Sequence, residues 1–123
     1  MKKACGEDRL FIVDEAHGAH FYFTKDGRFP VSALNGGADA SITSVHKTLG
    51  GLSATALINV AKGSKMEVSK VKMQHMMMSA MGDSVSPFIL ADLEGCVRAF
   101  QKDGDKLISQ ALVHAESIKS AIS

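Results

Sequence analysis

The feature that most limits the fold is Leu10-Phe11-Ile12-Val13, an unbroken apolar run that stops at Asp14-Glu15. Consecutive apolar residues point alternately to the two faces of a strand, so both faces must be covered, as in a parallel sheet. Such a strand also wants neighbours along both edges. The run lies only a few residues from Met1, so the sequence is expected to be a piece from the middle of something larger. Two further segments read as strands. Ala38–Val45 is rich in small and β-branched residues, and Ser53–Val60 follows it across the turn His46-Lys47-Thr48-Leu49-Gly50-Gly51.

The intervening segments have their own signals. Thr24-Lys25-Asp26-Gly27-Arg28 reads as a loop, and Pro30–Leu34 as a short helical turn that stops at Asn35-Gly36-Gly37. Beyond Gly63 the apolar period lengthens to three and four, through Val68, Val71 and the methionines up to Met81, which are expected to fill a core. Pro87 is well placed to open a helix. Leu90, Leu93, Val97 and Phe100 share one of its faces, and it is expected to end near Asp103-Gly104. Leu107, Ile108, Ala111, Leu112, Ala115, Ile118 and Ile122 then mark a separate last helix. The expected class is α/β, with an incomplete sheet in residues 1–63 and a helical continuation in residues 64–123.

Charge narrows the choice of partners. Lys and Arg total 14 against 13 Asp and Glu, a net charge of +1, so no strong field draws in nucleic acid or anionic lipid. No apolar run approaches a membrane span, and Met1-Lys2-Lys3 has no apolar segment behind it to make a signal peptide. Cys5 and Cys96 are isolated and fit reduced thiols in a cytoplasm. His17, His20 and His46 follow no metal-ligand spacing, and His75-Met76-Met77-Met78 is read as helix packing, so no metal is expected.

Two chemistries compete for Asp14-Glu15-Ala16-His17. An acidic box of this type, with Ser53-Ala54-Thr55 downstream, occurs in DEAH-type nucleoside-triphosphatases. Those engines need a glycine-rich phosphate loop ahead of the box, and residues 1–13 hold none. In them the Ser-Ala-Thr triplet ends a strand, whereas here it opens one. The alternative takes Lys47 into account. Asp14 ends the first strand and Ser44-Val45-His46-Lys47 ends the second, and ligands of open α/β sheets gather at strand carboxyl ends. A lysine there can form a Schiff base with an aldehyde cofactor. A carboxylate can keep a pyridine nitrogen protonated, so that the ring withdraws electrons. Strand alternation would place Ser44 and His46 on one side, where a hydroxyl and an imidazole could hold a phosphate.

The blocks Phe11–Phe21 and Ser44–Leu52, together with Pro30-Val31-Ser32-Ala33-Leu34, Gly37-Ala38-Asp39 and the serines before Pro87, resemble the fold-type-I ornithine/lysine/arginine decarboxylases. The resemblance implies an aspartate aminotransferase-type, three-layer α/β large domain that binds pyridoxal 5′-phosphate and is followed by C-terminal helices. It implies Lys47 as the attachment lysine, Asp14 as partner of the ring nitrogen, Ala16 and His17 beside the ring, and Ser44 and His46 near the phosphate. Lys47, Asp14 and His17 are the residues it marks for catalysis. The implied reaction is decarboxylation of a basic amino acid by a parent enzyme that is at least dimeric. Family members run to several hundred residues, so a truncated, inactive piece that keeps the attachment motif is the alternative. Three positions depart from the family pattern: Ala54 replaces a glutamine, Ile42 a small or hydroxyl residue, and Val85 a proline.

Overall fold

The computed structural model describes Gly6 and residues 8–53, 55–64, 66, 70–81 and 86–122. The readings made on Cys5, Ala54, Val68 and Val85 lie outside the described residues. Three strands form one sheet in the order β1 (Ile12–Asp14), β2 (Ala40–Ser44), β3 (Ala56–Val60). β1 pairs parallel with β2, setting Ile12 beside Ala40 and Asp14 beside Ile42. β2 then pairs antiparallel with β3, from Ala40 beside Val60 to Ser44 beside Ala56. The helices are α1 (Val45–Thr48), α2 (Lys70–Met81) and α3 (Pro87–Ile122), and a 3-10 turn occupies Ala19–Tyr22.

The parallel pairing decides where the chemistry can sit. Because β1 and β2 run the same way, their carboxyl ends lie at one edge of the sheet. Buried Asp39 fixes this register by accepting the Phe11 N–H on Oδ2 at 2.9 Å, while its own N–H donates to the Phe11 carbonyl at 2.8 Å. The interior of β2 is small and polar. Ala40, Ser41, Thr43 and Ser44 are buried, whereas Ile42 points outward. Buried hydroxyls are costly unless paired. Ser41 and Thr43 meet this requirement: the Tyr22 hydroxyl lies 2.7 Å from Ser41 Oγ, and Asn59 Nδ2 donates to Thr43 Oγ1 at 3.1 Å. Desolvation accordingly raises the Tyr22 pKa, an effect its bond to Ser41 opposes.

Several expectations need correction. β1 is not covered on both faces, since Ile12 is 48% exposed and Leu10 is exposed beside it. Pro30–Leu34 forms no regular helix, but one helical-type turn lies slightly later, over residues 33–37, where the Gly36 N–H donates to the Ser32 carbonyl four residues back at 2.8 Å. The third strand begins at Ala56 rather than Ser53. The turn at His46-Lys47-Thr48 is a single turn of α-helix, so strand alternation ends at Ser44 and does not relate Ser44 to His46. Met76, Met77 and Met78 are exposed rather than core filling.

The largest correction concerns the end of the chain. The two expected helices are one helix of 36 residues, and Gly104 lies inside it, buried. A Cβ on Gly104 would stand 2.8 Å from Phe23 Cβ and 2.9 Å from the Phe23 carbonyl oxygen. Glycine is there for close packing rather than to stop the helix. Near this crossing Leu93, Cys96 and Phe100 pack against the core of Ala19, Val45 and Leu49. At 1.5 Å per residue α3 is roughly 54 Å long, against about 17 Å for a five-residue strand. A rod that long outruns the sheet, which is why Ile118 and Ile122 are exposed instead of lining a core.

Candidate active site

Asp14 and Lys47 reach the same place from separate elements. Asp14 is the last residue of β1, and Lys47 stands in the helical turn that continues β2. A cavity of about 530 Å³ is lined by Asp14, Glu15, Ala16, His17, Gly18, Phe21 and Lys47. Within the motif, Asp14 Oδ1 accepts the Ala16 N–H at 3.1 Å, which restrains the carboxylate at the end of its strand. The Ala16 carbonyl accepts the Ser44 N–H at 3.2 Å, so the loop after β1 is tied to the end of β2. The Gly18 N–H closes the loop onto the Glu15 carbonyl at 2.8 Å. A side chain on Gly18 would collide with the Glu15 side chain and with the Phe21 ring, so the loop can wrap this tightly only with glycine there.

Glu15, in the same lining, is tied to a neighbouring turn. Its Oε1 accepts the Ala33 N–H at 2.8 Å and anchors the turn over residues 33–37. His20 stacks between Phe21 and Phe29, with ring centroids 4.5 and 5.2 Å away. Burial lowers its pKa, against the opposing influences of the Glu15 charge and a hydrogen bond with the His17 backbone.

Four of the six residues singled out from the sequence, Asp14, Ala16, His17 and Lys47, line the one cavity. Ser44 and His46 do not belong to that lining. Ser44 is buried and makes no capping bond to α1. The His46 ring is engaged elsewhere, with Nδ1 2.9 Å from the Thr55 carbonyl oxygen. A carbonyl only accepts, so Nδ1 carries the hydrogen of this bond. Thr55, from the triplet that resembled a nucleotide-driven engine, is committed to the same turn, its hydroxyl donating to the Leu52 carbonyl at 2.8 Å. Sequence reasoning missed Asp92, which accepts the Leu52 N–H on Oδ2 at 2.7 Å from α3. An acidic residue on an amphipathic helix carries no signal that distinguishes this contact from a solvated face.

As a test of fit to pyridoxal 5′-phosphate, the lining offers an amine, a carboxylate and small residues in a space of cofactor size. Those groups suit an aldehyde and a ring nitrogen. Phosphate donors are fewer, since the cationic or ionisable donors in the lining are Lys47 and His17. Among the described residues, no group of three His, Cys, Asp or Glu could hold a metal ion, and no helix is long and apolar enough to cross a membrane.

A restrained carboxylate at the end of β1 and a lysine in the turn after β2 thus share one cavity of an α/β domain, and comparison with known proteins gives the domain its family. Residues 2–123 match the Orn/Lys/Arg decarboxylase major domain, and the chain belongs to that family. It is 35% identical to an arginine decarboxylase of Bacillus anthracis over 111 residues, covering 90% of this chain and 22% of that protein. An arginine decarboxylase of Bacillus cereus is also 35% identical, covering 90% of this chain and 23% of its own length. One of Bacillus subtilis is 32% identical, at 90% and 22% coverage. The chain thus spans somewhat over a fifth of the length of these relatives. No solved structure matches it.

Proposed function

We propose that this chain forms the attachment wall of a pyridoxal-phosphate-dependent decarboxylase of basic amino acids. The supporting observation is that Lys47 and Asp14, from separate elements, line one cavity. When bound, the cofactor would supply the electron sink that loss of an α-carboxyl group as CO₂ requires. Lys47 offers a primary amine for covalent attachment and for the exchange that frees the product amine. Asp14, held by the Ala16 N–H, would pair with the ring nitrogen and favour its protonated form. Ala16 leaves room for a flat ring, and exposed His17 at the same cavity can carry a proton to or from substrate. Ser44 and His46 would reach the phosphate from outside the described lining. The relatives named arginine decarboxylase make arginine the first substrate to assay, ahead of lysine and ornithine. The reading extends to a cytoplasmic, homo-oligomeric parent enzyme.

Attachment is testable on the chain itself. Mixed with pyridoxal phosphate, it should develop a visible absorption band, and borohydride reduction should leave a pyridoxyl group on the peptide containing Lys47 by mass spectrometry. Lys47→Ala should lose both. Absence of the label from the unmodified sequence, or equal labelling after the substitution, would overturn the proposal. Arginine, lysine and ornithine are then compared by CO₂ release.

A further inference from the structure

The hydrogen bonds around Lys47 form a connected path that ends on a distant helix. Val45 N–H and His46 Nδ1–H both donate to the Thr55 carbonyl, at 3.0 and 2.9 Å. The Thr55 hydroxyl donates to the Leu52 carbonyl at 2.8 Å, and the Leu52 N–H donates to Asp92 Oδ2 at 2.7 Å. Both ends of the segment from Val45 to Thr55 are therefore pinned, and Lys47 lies inside it. The carboxylate also shapes the glycine turn. A Cβ on Gly51 would meet Val45 Cγ1 at 2.9 Å, with Asp92 Oδ2 and Thr55 Oγ1 each at 3.3 Å, so the turn packs closely against both Val45 and the Asp92 carboxylate. Gly50 beside it has φ +76°, the left-handed region that glycine enters without strain.

We infer that Asp92 is a positioning residue for Lys47. It touches neither the cavity nor any reacting atom. From α3 it fixes the Gly50-Gly51-Leu52 turn, and through Leu52 and Thr55 it fixes the orientation of α1, which carries the amine. A hydrogen bond from a backbone N–H to a carboxylate is charge-assisted and is among the stronger bonds of its kind. This helix-to-turn connection ties the helical part of the chain to the attachment chemistry. The inference rests on the reading of Lys47 as the attachment residue, and its test separates the two.

The experiment compares the full chain with Asp92→Ala and Asp92→Asn. Rates of pyridoxal phosphate attachment are read by the visible band and reductive labelling, and backbone amide exchange is followed by mass spectrometry or NMR. Removing a charge-assisted partner should slow attachment about tenfold in Asp92→Ala. Asp92→Asn retains a carbonyl acceptor for the Leu52 N–H and should stay within about threefold of the original rate. Exchange at Leu52 and Val45 should quicken in Asp92→Ala while the β2–β3 ladder keeps its protection. Unchanged exchange at Leu52 and Val45 in Asp92→Ala would overturn the inference. So would a uniform loss of protection that includes the β2–β3 ladder, or unimpaired attachment. If the unsubstituted chain takes no label, the attachment reading fails, and the positioning claim about Lys47 falls with it whatever the exchange data show. If the chain is labelled and only the comparison fails, the attachment reading stands and Asp92 is excluded.

Discussion

The sheet with its loops, residues 11–61, and the long helix, Pro87–Ile122, handle burial in opposite ways. In the first, most buried positions around the small apolar core of Ala19, Val45 and Leu49 are small or polar, among them Ala38, Ala40, Asp39, Ser41, Thr43 and Thr55. Hydrogen bonds between separate loops hold them, such as Asp39 to Phe11 and Glu15 to Ala33. In the second, Gly104 and Ile108 are buried while Phe88 is 83% and Ile122 81% exposed. Position in the first region is set by directional bonds, which tolerate little displacement. The helix is held by packing of Leu93, Cys96 and Phe100 and by the close crossing of Gly104 on Phe23, with scattered bonds from Asp92, Asp105 and Glu116. The cavity that Asp14 and Lys47 share belongs to the first kind of region, and the helix bonds to the turn after Lys47 through Asp92.

The largest effect should come from Val45→Ala. Val45 is fully buried, packs with Ala19 and Leu49, and opens the helical turn that carries Lys47. Removing two methyl groups costs about 2 kcal/mol once the cavity is included, more than the roughly 0.5 kcal/mol that alanine gains in helix propensity. Chemical denaturation should show that loss, together with weaker labelling of Lys47. Full stability with normal labelling would mean that the turn is not held by its core contact, and the contrast between the regions would weaken.

What could be read from the sequence divides along the same line. The two motif blocks lie at strand ends, and local signals place strand ends well enough for the meeting of Asp14 and Lys47 to be expected before any coordinates. Their shared cavity depends on the parallel pairing of β1 with β2, which the apolar run already suggested. The failures are non-local. Asp103-Gly104 has the letters of a helix stop, but the glycine answers to the approach of Phe23, 81 positions away, which leaves no room for a Cβ. His46 was expected to obey strand alternation, but α1 begins one residue earlier and turns its ring to the Thr55 carbonyl.

A smaller effect, dependent on pH, tests the packed side of the sheet region. Burial among Phe21 and Phe29 depresses the His20 pKa below its ordinary value of 6.5. The unfolded chain therefore takes up this proton at higher pH than the folded one. Stability from a neutral His20 is complete above pH 6.5 and declines as pH falls from there through the lowered folded value. Melting temperatures should drop between pH 7 and pH 5, and His20→Phe should flatten that part of the profile. An unchanged slope in the variant would assign the acid sensitivity to other groups.

The smallest effect belongs to the helix surface. Phe88 stands in the first turn of α3, just after Pro87, and is 83% exposed. Phe88→Ser removes little buried area, and serine and phenylalanine have similar helix propensities. Serine is also compatible with a first turn, where its hydroxyl can meet free N–H groups. The change in unfolding free energy should stay within about 0.5 kcal/mol, with attachment at Lys47 unaffected. The comparison with Val45→Ala is informative because the wild-type side chain lost here is the larger one. If chain size decided the outcome, Phe88 would cost more; if burial and connection to the turn decide it, Val45 will. A loss above about 1 kcal/mol for Phe88→Ser that grows with protein concentration would show that this face is covered by another copy in solution, and the helix would no longer count as the loosely held region.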